Sequence, residues 1–361
     1  NVIVVTEGKA YVYNGSTVTE VSDTDLETPN GVAHLNNQVI YDGDAGRFAS
    51  SDVGDASSID GLNYATAESN ADVLQRPYVL NQTLYLMGDK TIEQWWNSGS
   101  GSPPFDRIEG GILPVGLKAI YSVADNGSVM YFLGDDLRVY AVAGSEYKHI
   151  STIPLSNEIE GYTTLTDAVG TYFTLQGQGF YQLTFPQDDK SWVFHEQSGE
   201  WFENSSGADG GRAVFSNAVN VYNKVIASDY ASSALYELDV DTYTENGTTI
   251  IRQRDTAPLH GGLIGAPGKS IEMNRLELIM ETGVGDLTAT PEVIMTYSDD
   301  GGRTWSTESW GTVNVGTAGN YIKKIEWFSL GTFEERVFRF KMSEGVRWTL
   351  FSAAADIEIG I

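Results

Sequence analysis

The chain has 361 residues, 41% hydrophobic and 20% charged, a composition that excludes an intrinsically disordered protein. Its 49 acidic and 22 basic residues give a net charge of −27, which argues against a surface that grips DNA or RNA. The absence of cysteine excludes disulfides, cysteine-ligated zinc and thiol catalysis. No apolar run approaches the roughly 18 residues of a membrane span, so we expect no membrane insertion.

Short alternating runs rich in Tyr, Thr, Val and Gly predict an all-β protein. Six segments share an apolar strand, a turn and a second, aromatic-rich strand. Their turns are anchored at Gly8, Gly43, Gly88, Gly134, Gly177 and Ser228. The intervals of 35, 45, 46, 43 and 51 residues lie near the roughly 40–50 residues of a propeller blade. We therefore predict a β-propeller, six-bladed, over residues 1–247; a pair of β-sandwiches is the alternative.

The fifth repeat contains a further strand. In "YQLTFPQDDKSWVFHEQSGEWFEN", turns at Asp188 and Ser198 separate three strands. Trp192, Phe194 and Trp201 are then expected on one face of the sheet. The preceding "GQGFYQ" resembles a phosphate-binding loop, but it leads into a strand and lacks the helix end that binds anions.

The sequence predicts neither a metal nor a cofactor site. The histidines are far apart and have no ligand spacing: His34, His149, His195 and His260. The acidic turn "DGDAGR" at residues 42–47 lacks the bidentate glutamate of an EF-hand loop. No nucleophile–histidine pair, P-loop or dinucleotide-binding fingerprint is present, and we expect no enzyme activity.

Longer strands begin after about Thr248 and predict a β-sandwich-like region over residues 248–361. In the first of them, alternation puts Leu276, Leu278 and Met280 on one face, together with the polar Glu272 and Asn274. The opposite face also mixes types: Ile271, Met273, Arg275, Glu277 and Ile279. We interpret this imperfect alternation as a strand that is covered on both faces.

The stretch "YSDDGGRTWS" is an Asp-box, a pattern found in sialidases and in many non-enzymatic β-proteins. The motif residues are Ser298, Asp300, Gly302, Thr304 and Trp305. Asp300 is expected to accept hydrogen bonds from its own loop and Trp305 to pack back over the hairpin. We predict a structural turn; an Asp-box glycan-binding or glycoside-hydrolysing β-propeller is the alternative function.

Basic residues concentrate near the end of the chain. The candidate interface residues are Lys323, Lys324, Arg336 and Arg339, with Lys341 and Arg347 nearby. They either balance neighbouring acids such as Glu334, Glu335 and Glu344, or form the positive half of a contact with an acidic neighbour.

The order of several segments carries a family resemblance. The most informative is "TIEQWWNSGSGSPPFDR", and the resemblance continues through "GFYQLTFP" and "VYNKVIASDYASSALYELDVD" to the Asp-box. Its matching residues are Thr91, Ile92, Glu93, Trp95, Pro104, Phe105 and Arg107. The chain resembles, over almost its whole length, the packaged-DNA stabilisation proteins that form the tail hub, or nozzle, of short-tailed bacteriophages (podoviruses).

This resemblance implies a structural virion protein without catalytic residues. Its copies are expected to form a homo-oligomeric ring, a hexamer, below the portal and its adaptor protein. The ring would close the DNA exit channel, retain packaged DNA and dock a tail fibre, spike or needle protein. DNA would pass through without specific binding, and assembly would take place in the host cytoplasm. Members of the family start further upstream than Asn1.

Overall fold

The computed structural model describes residues 2–67, 72–207, 210–284, 291–307 and 312–360. It is mostly β, with 55% of residues in strands and 5% in helix, so the all-β prediction is confirmed. The chain forms two compact units. The first comprises Asn1–Ser205 and Arg212–Leu238, and the second comprises Ser206–Gly211 and Asp239–Ile361.

The first unit contains six antiparallel sheets that follow one another along the sequence; we call them blades 1 to 6. Blade 1 is Val2–Thr6, Lys9–Tyr13 and Val18–Glu20; blade 2 is Val32–Leu35, Gln38–Asp42, Arg47–Asp52 and Asp55–Thr66; blade 3 is Leu74–Leu80, Thr83–Gly88, Ile92–Asn97 and Phe105–Leu113. Blade 4 is Ala124–Asp125, Met130–Leu133, Val139–Ala143 and Glu146–His149; blade 5 is Val169–Leu175, Gln178–Phe185, Lys190–His195 and Glu200–Glu203; blade 6 is Phe215–Val221, Lys224–Asp229 and Leu235–Leu238. Within a blade, each strand pairs with the next one in the sequence.

Several consecutive blades pack through their first strands. Val32–Leu35 of blade 2 contacts Leu74–Leu80 of blade 3. Val169–Leu175 of blade 5 contacts both Ala124–Asp125 of blade 4 and Phe215–Val221 of blade 6. Radial repetition of small sheets through their first strands is the arrangement of a β-propeller. The first unit therefore has the predicted six-bladed organisation.

The repeat is marked most consistently by the turn between the first and second strands. In five blades this turn has two residues, both with positive φ: Glu7 and Gly8, Asn36 and Asn37, Asn81 and Gln82, Gln176 and Gly177, Tyr222 and Asn223. Two successive left-handed residues match the twist of the flanking strands and make a tight hairpin. Asparagine tolerates this conformation, so glycine is not required at each repeat.

The glycine anchors used in the sequence analysis belong to two different turns. Gly8 and Gly177 follow a first strand, whereas Gly43 and Gly134 follow a second strand. The anchors at Gly88 and Ser228 were wrong as turns, because Gly88 is the last residue of Thr83–Gly88 and Ser228 lies inside Lys224–Asp229. Mixing two turn positions explains part of the scatter in the predicted intervals.

Blade 5 folds as its sequence predicts. Its strands are separated at residues 186–189 and 196–199, and Trp192, Phe194 and Trp201 share one hydrophobic cluster. Phe194 and Trp201 are paired across neighbouring strands, with ring centroids 5.3 Å apart. The aromatic alternation thus supplies the core of this blade.

In the part of the chain that the structure describes, helices are short. The α-helix Ile153–Glu160 begins after Thr152, whose side chain accepts a hydrogen bond from Leu155 N, and it buries Leu155 and Ile159 beside blade 5. Short 3₁₀-helices lie at Asp44–Gly46, Ile120–Ser122 and Gly261–Ile264. No helix in the described part of the chain has the length and apolar character needed to cross a membrane.

Within its described residues, the second unit contains two packed antiparallel sheets. Sheet S1 has the order Arg252–Asp255, Glu335–Met342, Glu292–Ser298 and Thr312–Asn314, and Leu259–His260 also pairs with Glu335–Met342. Sheet S2 has the order Ile325–Phe333, Ile271–Met280 and Leu350–Ile359. Short pairs are formed by Thr244–Glu245 with Thr248–Thr249 and by Ser205–Ser206 with Gly211–Arg212. Side chains of S1 and S2 form one buried cluster, as in a β-sandwich.

A β-bulge explains the imperfect alternation of the strand Ile271–Met280. The pairing register shifts between Met273 and Arg275 relative to both neighbouring strands. One extra residue moves the following side chains to the other face. Ile271 and Met273 before the bulge, and Leu276 after it, are therefore all buried in the same core. The interpretation that both faces of this strand are covered was wrong.

Candidate interaction sites

The Asp-box forms the turn after the strand Glu292–Ser298. Ser298 Oγ accepts a hydrogen bond from Gly302 N at 2.8 Å and donates one to Asp300 Oδ1 at 2.7 Å. The same Oδ1 accepts from Arg303 N and Thr304 N at 2.9 and 2.8 Å, while Oδ2 accepts from Thr304 Oγ at 2.6 Å. Both oxygens of Asp300 are therefore bound by the loop itself.

These hydrogen bonds favour the charged carboxylate. The hydroxyl groups of Thr304 and Ser298 hold the pKa of Asp300 well below its usual range. A glycoside hydrolase needs a pair of carboxyl groups that face the substrate. Since Asp300 points into its own turn, the geometry favours a structural role for the motif.

Trp305 connects the Asp-box to sheet S1. Its Nε1 donates to Gly302 O at 3.0 Å, which folds the indole back onto the turn. The guanidinium of Arg339 lies 3.6 Å from the centre of the Trp305 ring and also binds Asp255 at 2.9 and 2.7 Å. One cation thus packs against the tryptophan and pairs with a neighbouring strand.

Arg336 is buried, and this contradicts its assignment to an exposed interface. Only 4% of the residue is accessible, and its guanidinium binds Asp299 at 2.5 and 2.7 Å. Its Cζ lies 4.0 Å from the ring centre of Tyr297 and 4.4 Å from that of Phe333. A guanidinium satisfied in this way by a carboxylate and two aromatic faces stabilises the sandwich from inside.

The two candidate lysines lie elsewhere. Lys323 and Lys324 are exposed and immediately precede Ile325–Phe333 of sheet S2, whereas Arg336 and Arg339 belong to sheet S1. Lys324 Nζ is 3.9 Å from Glu326, a distant surface pair. The four basic residues therefore do not form one continuous surface.

Two family models match the chain. The model described as Bacteriophage P22 Gp10, beta-propeller matches residues 1–243. The model described as Bacteriophage P22 Gp10, beta-sandwich matches residues 258–358. The chain belongs to the bacteriophage P22 Gp10 family. A comparison with curated proteins found no match.

Membership of the Gp10 family confirms the resemblance seen in the sequence, and it confirms the β-propeller followed by a β-sandwich. The chain is a phage structural protein of the tail-hub and packaged-DNA stabilisation family, and hence a virion component. The two matching domains are those of a phage structural protein.

The motif that carried the Gp10 resemblance builds the interior of blade 3. Glu93 is 2% exposed; its Oε2 accepts from Trp95 Nε1 at 2.9 Å and lies 3.4 Å from Arg107 Nε. Trp95 packs edge-on against Phe48, with ring centroids 5.3 Å apart, and Phe105 belongs to the same cluster. The buried carboxylate of Glu93 needs both the indole N–H of Trp95 and the charge of Arg107 as partners. The motif is therefore structural.

The first 247 residues of the Gp10-family chain, which include the propeller, carry most of its net negative charge. Residues 1–247 contain 34 acidic and 11 basic residues, whereas residues 248–361 contain 15 and 11. The sandwich is thus close to electrically balanced. The propeller is the strongly negative part of the molecule.

Blade 2 contains an acidic cleft of about 220 Å³. Its lining includes Asp25, Glu27, Asp42 and Arg47. Asp42 is 2% exposed and accepts hydrogen bonds from two backbone N–H groups; burial raises the pKa of Asp42 to about 6. Among the residues that the structure describes, no group of three or more His, Cys, Asp or Glu side chains is arranged to hold a metal ion.

Sequence reasoning missed two exposed residues beside the candidate lysines. Tyr321 is 75% exposed and Ile322 is 91% exposed. We call residues 321–324 the YIKK segment. A signal was present in the sequence, because two large apolar residues directly follow the turn-forming pair Gly319 and Asn320.

Proposed function

We propose that this chain is the subunit of a tail-hub ring that closes the DNA exit channel of a phage particle. The observation that carries the proposal is the match of both Gp10 domains, in order, to residues 1–243 and 258–358. The ring is a hexamer of identical copies. It sits below the portal on the adaptor protein and docks a tail fibre, spike or needle protein.

The charge of the propeller supports a role in DNA passage. With 34 acidic and 11 basic residues in 1–247, the propeller repels a phosphate backbone. It cannot gain the counterion release that makes DNA binding tight. An acidic wall therefore allows DNA to slide during ejection, once the closed channel has opened.

The contacts of the Asp-box support a structural role for the sandwich. Asp300 and Trp305 are both engaged within their own unit, by the hairpin and by Arg339 respectively. These contacts rigidify a turn without leaving Asp300 directed at a ligand. A rigid sandwich suits a protein that must keep its shape under the pressure of a packaged genome.

The experiment is a deletion of this gene from the phage, with complementation by the wild-type protein supplied in the host. We expect capsids that package DNA and then lose it, together with restored DNA retention and infectivity after complementation. The DNA content of purified particles is the readout. Infectious, DNA-filled particles that lack the protein would overturn the proposed function.

Ring formation is measured separately. Native mass spectrometry measures the mass of the assembly formed by the purified protein, alone and with its adaptor protein. Cryo-electron microscopy shows whether this assembly is a closed ring. We expect a closed ring of six copies that incorporates into particles assembled in the host cytoplasm. A monomer that never joins the adaptor would contradict the ring.

A further inference from the structure

The YIKK segment combines large apolar surface with positive charge on an exposed turn. Tyr321 and Ile322 are 75% and 91% exposed, and Lys323 and Lys324 are exposed beside them. Single exposed hydrophobic residues are common on protein surfaces. Two adjacent large ones that continue into two lysines form a compact contact surface, with an aromatic anchor of the kind enriched at interfaces.

The base of this segment is held by close packing. Asn320 N donates to Thr317 O at 3.1 Å. Gly283 and Gly316 have φ of +72° and +100°, and a Cβ at either position would lie 2.9 or 3.2 Å from atoms of Asn320. Asn320 therefore packs so closely against Gly283 and Gly316 that a side chain at either position would be strained. A segment with a fixed base loses less conformational entropy when a partner binds.

The lysines are available for an external carboxylate. Within the described residues Lys323 makes no ion pair, and the only pair of Lys324 is the 3.9 Å contact with Glu326. Arg336 and Arg339 form close ion pairs with Asp299 and Asp255 in sheet S1. Neither lysine has so close a carboxylate partner among the described residues. Within the described residues, the positive charge of the segment is thus compensated only by the long contact with Glu326.

The propeller is the surface of this protein that fits such a segment. Residues 1–247 carry 23 more acidic than basic residues, from counts of 34 and 11, whereas residues 248–361 carry an excess of 4, from counts of 15 and 11. Charge complementarity sets orientation and partner choice in protein contacts. A second copy of the same chain therefore offers the YIKK segment its strongest electrostatic partner.

We propose that the YIKK segment of one copy docks on the acidic propeller of a second copy. This inference rests on the proposed ring. A contact between two different surfaces, here sandwich to propeller, is heterologous, and repeated head-to-tail it closes into a ring. Tyr321 and Ile322 provide the buried contact area, while Lys323 and Lys324 select the propeller and set the register.

Two double variants and one control test the contact. K323E/K324E reverses the charge, and Y321S/I322S removes the apolar anchors. The control L263S/K269E makes the same types of change at another exposed part of the second unit, where Leu263 is 60% exposed. Circular dichroism and thermal unfolding establish that each variant is folded before assembly is measured.

The expected readout is the concentration dependence of oligomer mass at low and high salt. Each segment variant should raise the apparent dissociation constant by at least about tenfold, about 1.4 kcal/mol. K323E/K324E should also weaken the salt dependence, because the charges act at long range. The control should assemble like the wild type. Unchanged assembly of both folded segment variants overturns the inference.

Cross-linking identifies the partner surface. A carbodiimide joins a lysine directly to a carboxylate with which it is in contact, and a mixture of unlabelled and ¹⁵N-labelled copies separates intermolecular from intramolecular links. We expect mixed-label links from Lys323 or Lys324 to carboxylates in residues 1–247. Links confined to the same copy or to residues 248–361, or a wild-type protein that stays monomeric, overturn the inference. The proposed function fails on a different observation, the retention of DNA by particles that lack the protein.

Discussion

The guanidinium of Arg336 is bound by both carboxylate oxygens of Asp299, at 2.5 and 2.7 Å, although only 4% of the arginine is exposed. Asp299 lies inside the Asp-box turn, next to Asp300. Arg339, from the same strand, packs against Trp305 at the other end of that turn. Two arginines of one strand therefore fix the Asp-box from both sides, Arg336 inside the sandwich and Arg339 in a partly exposed ion pair with Asp255.

Arg336→Glu should destabilise the second unit by about 3–5 kcal/mol, because it buries a carboxylate beside Asp299 and removes the cation that satisfied it. K323E/K324E, at exposed positions, should change the free energy of unfolding by no more than about 0.5 kcal/mol. Urea unfolding followed by tryptophan fluorescence compares the two. Equal stability of the Arg336→Glu and wild-type proteins would contradict the buried role of Arg336.

Asp300→Ala should lower the melting temperature and leave the fold assembled, because four donors of the Asp-box turn lose their acceptor. Asp300→Asn keeps one oxygen and should have an intermediate effect. Since the pKa of Asp300 is depressed, its stabilisation is present above the unfolded-state pKa and is lost as pH falls through the lower, folded-state value. The wild type should therefore approach Asp300→Asn in strong acid, whereas Asp300→Ala, which has no acceptor at any pH, should stay less stable.

A catalytic Asp-box predicts a different result. Glycoside hydrolysis that disappears in Asp300→Ala without any loss of melting temperature would show that the carboxylate acts on a substrate. Differential scanning fluorimetry and a panel of chromogenic glycosides, measured on the same preparations, distinguish the two roles.

Much of the fold was readable from the sequence because strands and hairpins have local signatures. The aromatic alternation of Trp192, Phe194 and Trp201 predicted the core of blade 5, where each side chain packs within its own sheet. The blade repeat was harder to place. Its consistent marker is a pair of left-handed residues, and Asn36 and Asn37 adopt that conformation without the glycine on which the sequence analysis relied.

The misassigned features depend on contacts between residues that are distant in the sequence. The bulge near Asn274 is defined by pairing with two strands and left no local signal beyond an irregular pattern. The burial of Arg336 depends on Asp299, 37 residues earlier in the chain. The cluster of basic residues in the sequence therefore mixed the buried Arg336 with exposed lysines, and composition cannot separate them.

The wild-type protein should not bind duplex DNA tightly, even at about 50 mM salt, because its propeller repels phosphates. Fluorescence anisotropy with a labelled duplex measures this, with a basic DNA-binding domain as the positive control. An affinity that falls steeply as salt rises would show several phosphate contacts. Such a result would contradict passage of DNA without binding.

Asp42→Asn should change how stability depends on pH. Burial raises the pKa of Asp42 to about 6, while its hydrogen bonds from Asn30 N and Gly31 N and the charge of Arg76 oppose that rise. A raised pKa means that the stabilising contribution is fully present below the unfolded-state value of about 4 and is lost as pH rises through about 6. Asparagine keeps an oxygen for both backbone donors and does not ionise.

The stability of Asp42→Asn relative to the wild type should therefore increase between about pH 4 and pH 7, by on the order of 2 kcal/mol. If the amide itself destabilises the protein, it lowers the free energy of unfolding by the same amount at every pH. The comparison is therefore made between the slopes of the free energy of unfolding against pH. Asp44→Asn removes an exposed carboxylate from the same turn and is the matched control, which should follow the wild-type curve. Urea unfolding at half-unit intervals of pH measures all three proteins, and parallel curves for Asp42→Asn and the wild type would show that Asp42 does not ionise in a buried site.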